Sequence, residues 1–170
     1  VNGIRARLKD DKKSASNGFL SMLHDQKPDM IFLQEFRCPT ADFLAQKDVK
    51  EALAKLDYRL LLNNTSTDPN AGYAGVAVLS RIPAISWGGG IDDSSTAFNL
   101  DAEGRLLWVN VGGLIIVNVY APNSGTPGQE LRFLNKRLAF DRLLCAKVEA
   151  LKRKFKKPCS SWEISTSQET

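Results

Sequence analysis

Histidine and cysteine are nearly missing from this chain: His24 is its single histidine, and Cys38, Cys145 and Cys159 are its three cysteines among 170 residues. An odd number of cysteines at no metal-ligand spacing argues against a disulfide framework and leaves reduced thiols in an intracellular protein as the expectation. No apolar run approaches the roughly 20 residues needed to span a bilayer, so a soluble chain with no membrane partner is expected. Internal repeats are absent, and so is any linker before Pro158. Neither sign of charge dominates: the net charge of +4 permits an anionic partner without requiring one. The first residue is Val1 and not Met, so targeting is unreadable; nucleus, mitochondrion, plastid and bacterial cytoplasm are not distinguished. What remains is 43% hydrophobic and 25% charged, enough for one domain core.

Along the chain, strands and amphipathic helices alternate. From Ser16 to Gln26, Phe19, Leu20 and Leu23 share a helical face that stops at Pro28, which cannot continue a helix. Met30 to Leu33 is continuously apolar, as in a strand covered on both faces, and ends at Gln34 and Glu35. Thr40, a candidate N-cap, opens a second helix through Leu56. Tyr73 to Ser80 reads as a strand, and Gly88 to Gly90 as a loop. In LLWVNVGGLIIVNVY two apolar runs flank Gly112 and Gly113, which predicts a β-hairpin. From Leu131 to Phe155 one apolar stripe marks a long helix, closed by Lys152, Arg153, Lys154, Lys156 and Lys157. Those cations suit the negative helix end, a simpler reading than a nucleic-acid patch. The pattern gives an α/β class with mixed sheet.

Glu35 ends a buried strand, where a rigid element holds a carboxylate at a fixed point. Asn2 opens the chain, Tyr120 closes the hairpin and Asn123 follows it, so several polar groups can gather at one sheet rim. Magnesium favours such oxygen donors, and phosphate chemistry needs an ion of this kind beside groups that meet developing charge.

Five ordered stretches, VNGIRA, IFLQE, GYAGVAVLSR, DAEGR and NVYAPNSG, resemble the exonuclease III class of apurinic/apyrimidinic (AP) endonucleases, within the endonuclease/exonuclease/phosphatase superfamily. RLAFD at Arg137 to Asp141 is similar to a further stretch, with Phe140 where tryptophan is common. The resemblance implies the N-terminal portion of a four-layered α/β/β/α sandwich with mixed sheets, formed by residues 1–158. It also implies magnesium, with manganese as the alternative, and double-stranded DNA containing abasic sites as the substrate of a monomer. Glu35 and Asn2 inherit metal-site roles. Tyr120 and Asn123 inherit catalytic contacts to the scissile phosphate, and Tyr73 and Arg105 substrate-binding roles. The expected reaction is hydrolysis of the phosphodiester 5′ to an abasic site, with 3′–5′ exonuclease action.

The family pattern also requires a strand ending in GDxN and a later aspartate and histidine pair, none of which this chain contains. It is therefore expected to be C-terminally truncated, inactive as written, and poorly folded for want of a covering second sheet. Residues 159–170 are expected to form an aberrant tail: a two-base shift through Cys159 to Ser167 can spell FFLGDFNV, which points to a frame slip, an unspliced intron or an assembly error. The alternatives are a genuine unrelated terminus, another metal-dependent phosphoesterase of the same superfamily, and a non-catalytic remnant that binds DNA or protein.

Overall fold

A computed structural model describes residues 4, 8, 18–38, 40–63, 74–92, 94, 96–125 and 131–163. Two sheets pack face to face, each with helices on its outer side. In the first, β1 (Met30–Gln34) and β2 (Arg59–Asn63) both pair antiparallel with the central β3 (Val76–Ser80). In the second, β4 (Ser86–Gly89), β5 (Leu106–Asn110) and β6 (Ile115–Val119) form an antiparallel meander, and β7 (Cys159–Glu163) pairs parallel with β6. The second sheet is thus mixed, as expected.

Strand alternation builds the layers. On β3, Ala77 and Leu79 face a core shared with Phe19 and Leu23 of α1 (Phe19–Gln26), Phe43 of α2 (Thr40–Leu44), and Val49 and Leu53 of α3 (Lys47–Lys55). The intervening Val76 and Val78 turn the other way and meet Leu61, Leu107 and Val109 between the sheets. On β5, Leu106 and Trp108 face away from that seam and pack with Phe140 and Leu151 of α4 (Leu134–Phe155). All five residues of β3 and all five of β5 are buried, because each strand is covered on both faces.

Several expectations are corrected. The chain supplies strands of both sheets rather than chiefly the first: β4 to β7, within residues 86–163, pack over β1 to β3. The helix from Thr40 breaks at Ala45 and Gln46; Gln46 is extended, and the break lets Phe43 and Val49 reach the same core. Gly88 and Gly89 belong to β4 rather than a loop. A Cβ on Gly88 would lie 2.8 Å from the Trp108 indole, and one on Gly89 would lie 2.3 Å from the Asn63 side chain. Bare backbone is what admits both neighbours. Finally, Cys159–Glu163 (CSSWE) forms a strand although it shows no apolar alternation, because α4 returns the chain beside β6 and parallel pairing uses backbone groups. Residues 164–170 lie outside the described residues.

Candidate active site

The chain leaves β1 through a turn that few side chains favour. Glu35 and Arg37 both hold left-handed backbone, with φ of 52° and 48°. Such conformations outside glycine cost about 1–3 kcal/mol and persist only where surroundings impose them. Here the intervening Phe36 donates its N–H to the Gly75 carbonyl at 3.0 Å and accepts from the Ile4 N–H at 3.2 Å, while Arg37 N–H reaches the Ala74 carbonyl at 3.2 Å. Phe36 itself is fully buried against Phe43. The turn therefore fixes where the Glu35 carboxylate points.

It points at the other sheet. Tyr120, the first residue past β6, donates its hydroxyl to Glu35 Oε1, and Arg37 Nη2 lies 3.2 Å from Oε2. Glu35 comes from the first sheet and Tyr120 from the second, so the seam between sheets assembles the pair. Burial pushes the Tyr120 phenol above its ordinary range, reinforced by its hydrogen bond to Glu35 and the carboxylate charge. Tyr120 is therefore a protonated donor at neutral pH.

Two buried amides hold the seam in register. Gln34 Nε2 donates to the Val119 carbonyl at 2.6 Å. Asn118 Nδ2 donates to the Leu33 carbonyl at 3.2 Å and the Ala77 carbonyl at 3.0 Å. These bonds tie the residues just before Tyr120 to those just before Glu35. The Asn118 oxygen is buried with no partner among the described residues.

Behind Tyr120 stands Arg105. Its Nη1 donates to the Tyr120 carbonyl at 3.1 Å, its carbonyl accepts the Tyr120 N–H at 2.8 Å, and its guanidinium lies 4.9 Å from the phenol ring centroid. Glu103 receives Arg105 Nε at 2.5 Å and Lys136 Nζ at 2.7 Å. Asn123 is exposed, accepts the Gly125 N–H at 2.9 Å, and lines a cleft of about 300 Å³ with Arg105, Pro122, Phe133 and Lys136.

Of the expected site residues, the structure thus joins Glu35, Tyr120 and Arg105, and places Asn123 on the neighbouring cleft. Asn2 and Tyr73 lie outside the described residues. His24 is an exposed residue of α1 hydrogen-bonded to Asp25 at 3.1 Å; α1 feeds the start of β1, while Glu35 follows its end. Gln34 and Asn118 did not stand out in the sequence, although an amide closing or interrupting a buried apolar strand is their signal.

Among the described residues no group of three or more histidine, cysteine, aspartate or glutamate side chains converges as a metal cage. Magnesium does not require one: it keeps several waters and takes one or two carboxylates. The Glu35 carboxylate, held by the turn after β1, is a hard oxygen donor of the type such an ion takes, and a bound cation would compete for it with Tyr120 and Arg37.

The structure is a two-sheet α/β sandwich in which a carboxylate of one sheet and a phenol of the other meet at the rim. Residues 1–150 match the profile of the Endonuclease/Exonuclease/phosphatase family. The chain belongs to that family. It is 31% identical over 155 residues to "Recombination repair protein 1" of Drosophila melanogaster, covering 89% of this chain and 19% of that protein. It is 26% identical over 156 residues to "Exodeoxyribonuclease" of Bacillus subtilis, covering 91% and 52%. Among solved structures, an AP endonuclease from Archaeoglobus fulgidus superposes with a TM-score of 0.64 at 20% identity, covering 95% of this chain and 53% of that one. A 3′–5′ exonuclease from Neisseria meningitidis superposes with a TM-score of 0.60 at 21% identity, covering 95% and 54%. The chain spans about half the length, or less, of each of these relatives.

Proposed function

We propose that the chain carries part of the site of a divalent-metal-dependent DNA phosphoesterase, of the kind that cuts 5′ to abasic sites and trims 3′ ends. The observation that carries this reading is the Tyr120–Glu35 contact across the seam, made by the two strand ends that match the family's motifs. Glu35 would hold the cation, magnesium being the first choice, and Asn2 is proposed beside it. When bound, such an ion polarises a phosphoryl oxygen and neutralises developing charge.

The remaining roles belong to the protein. Tyr120, kept protonated by burial and by Glu35, can donate a hydrogen bond to a phosphate oxygen, which is how preorganised donors lower a barrier. Arg105 fixes the phenol from behind, and Asn123 offers an amide beside it. Tyr73 is proposed to grip the DNA backbone. An abasic nucleotide has no base to unstack, so drawing it to this rim costs less than extruding a paired one.

No group among these residues is placed to activate water, and the 170 residues contain no GDxN. The register of β7 supports the proposal that this motif was lost by a frame slip. Glu163 pairs with Val119, the residue before Tyr120, and the shifted reading puts its aspartate codon across codons 163 and 164. The restored carboxylate would follow the strand end next to Tyr120.

The test is cleavage of an abasic-site duplex with magnesium by this chain and by a frame-restored one. Cutting that appears only on restoration and disappears with Glu35→Ala supports the reading. Cutting that is indifferent to Glu35→Ala overturns it, and a transcript whose codons cannot spell GDFN removes the frame slip.

A further inference from the structure

The cleft beside Tyr120 has walls of three chemistries. Phe133, just before α4, leaves 48% of its surface exposed and presents an aromatic wall, with Pro122 as a second apolar surface. Lys136 and Arg105 bring two cationic side chains to the wall, both bonded to the Glu103 carboxylate. Asn123 commits its side-chain oxygen to the Gly125 N–H, which leaves its amide hydrogens as donors. The volume of about 300 Å³ lies at the small end of the range for ligand clefts.

We infer that this cleft holds one unstacked nucleotide of the DNA strand, its base against Phe133 and its phosphate toward Lys136 and Arg105, next to the phosphate that meets Tyr120. The inference rests on the DNA reading above and deepens it. A purely apolar ligand would leave the cationic wall unmatched, and a free phosphate would leave Phe133 uncovered. A nucleotide satisfies both: aromatic stacking is tolerant of sequence, and backbone phosphates answer the positive charge. Arg105 couples the cleft to the candidate site, since the same guanidinium lines the cleft and supports the Tyr120 ring and carbonyl. The cleft would therefore favour frayed 3′ ends and strands opened at a missing base over intact duplex.

The experiment uses the whole chain without divalent metal, so that binding is read without cutting. Oligonucleotides carry fluorescent aminopurine at either position flanking an abasic site. Wild type should quench one of them on binding. Phe133→Ala should abolish the quench and weaken binding about tenfold, with Phe133→Trp restoring both. Lys136→Gln should lower the salt dependence by about one released counterion. Phe133 is exposed and Lys136 part-buried, and unchanged melting curves confirm that the variants fold. Oligonucleotides bound by wild type, with Phe133→Ala and Lys136→Gln binding equally well and quenching equally, would overturn the cleft while leaving the DNA reading standing. Absence of any DNA binding would overturn both. Displacement by inorganic phosphate as effective as by a nucleoside monophosphate would reduce the cleft to an anion site and overturn the nucleotide.

Discussion

The first sheet joins strands far apart in the chain and packs against the short helices α1, α2 and α3, whereas the second grows from a single hairpin and is covered by α4, a helix of 22 residues. β1 reaches its partner β3 across about forty intervening residues, but β5 and β6 meet across the turn at Val111 to Leu114. Each sheet is ordinary by itself. The candidate site exists because one contributes Glu35 and the other Tyr120, so function depends on docking two units with different folding requirements. Non-local pairing orders late and is sensitive to every contact that holds it, while hairpins form early.

Perturbing the shared core tests whether the two sheets behave as one cooperative unit. Leu107→Ala, at the seam, should cost about 2–5 kcal/mol in chemical denaturation, with both sheets lost in one transition. A second transition confined to the first sheet would show that it does not need the other. The next effect is polar. Asn118→Ala strips the Leu33 and Ala77 carbonyls of a buried donor and should cost about 1–3 kcal/mol in urea midpoint measurements. Asn118→Asp should cost more, since it replaces both donors with a buried charge. At the opposite edge, Asn63 of β2 donates to the Leu106 carbonyl at 2.6 Å, and Gly89 lies beneath its side chain. Gly89→Ala must displace that clip and should cost about 1 kcal/mol; an unchanged midpoint would mean that the β2 and β4 edges are not joined through it.

The smallest effect is a pH dependence. The native Tyr120 phenol titrates above its ordinary range, so its contribution to stability is complete below about pH 10 and is lost as pH rises through the native value. In metal-free protein the stability difference between wild type and Tyr120→Phe should shrink over that alkaline window, and tyrosinate absorbance should show one group ionising late. Early ionisation of Tyr120 would place it in solvent.

How much of this was legible in the sequence follows the same division. The hairpin and the long helix were readable because their signals are local: paired glycines between apolar runs, and a stripe at helical spacing. β2 and β4 escaped because short strands with mixed burial carry weak periodicity, and Gly88 and Gly89 resembled loop residues when they were making room for Trp108 and Asn63. β7 (CSSWE) carried no strand pattern, since its place is set by α4 and by backbone pairing with β6. Glu35 and Tyr120 stood out as polar groups closing apolar strands, and the family resemblance gave them roles and added Arg105. Their supports, Gln34, Asn118, Glu103 and Lys136, act across the seam or between distant segments, and single-chain spacing does not encode such contacts.

The central claim is that the seam brings Glu35 and Tyr120 into one interacting pair, and a double-mutant cycle tests it without any assumption about activity. Glu35→Ala, Tyr120→Phe and the double variant are unfolded in urea without metal. A coupling energy of about 1 kcal/mol or more between them is predicted, whereas single effects that add to within about 0.3–0.5 kcal/mol would contradict the account.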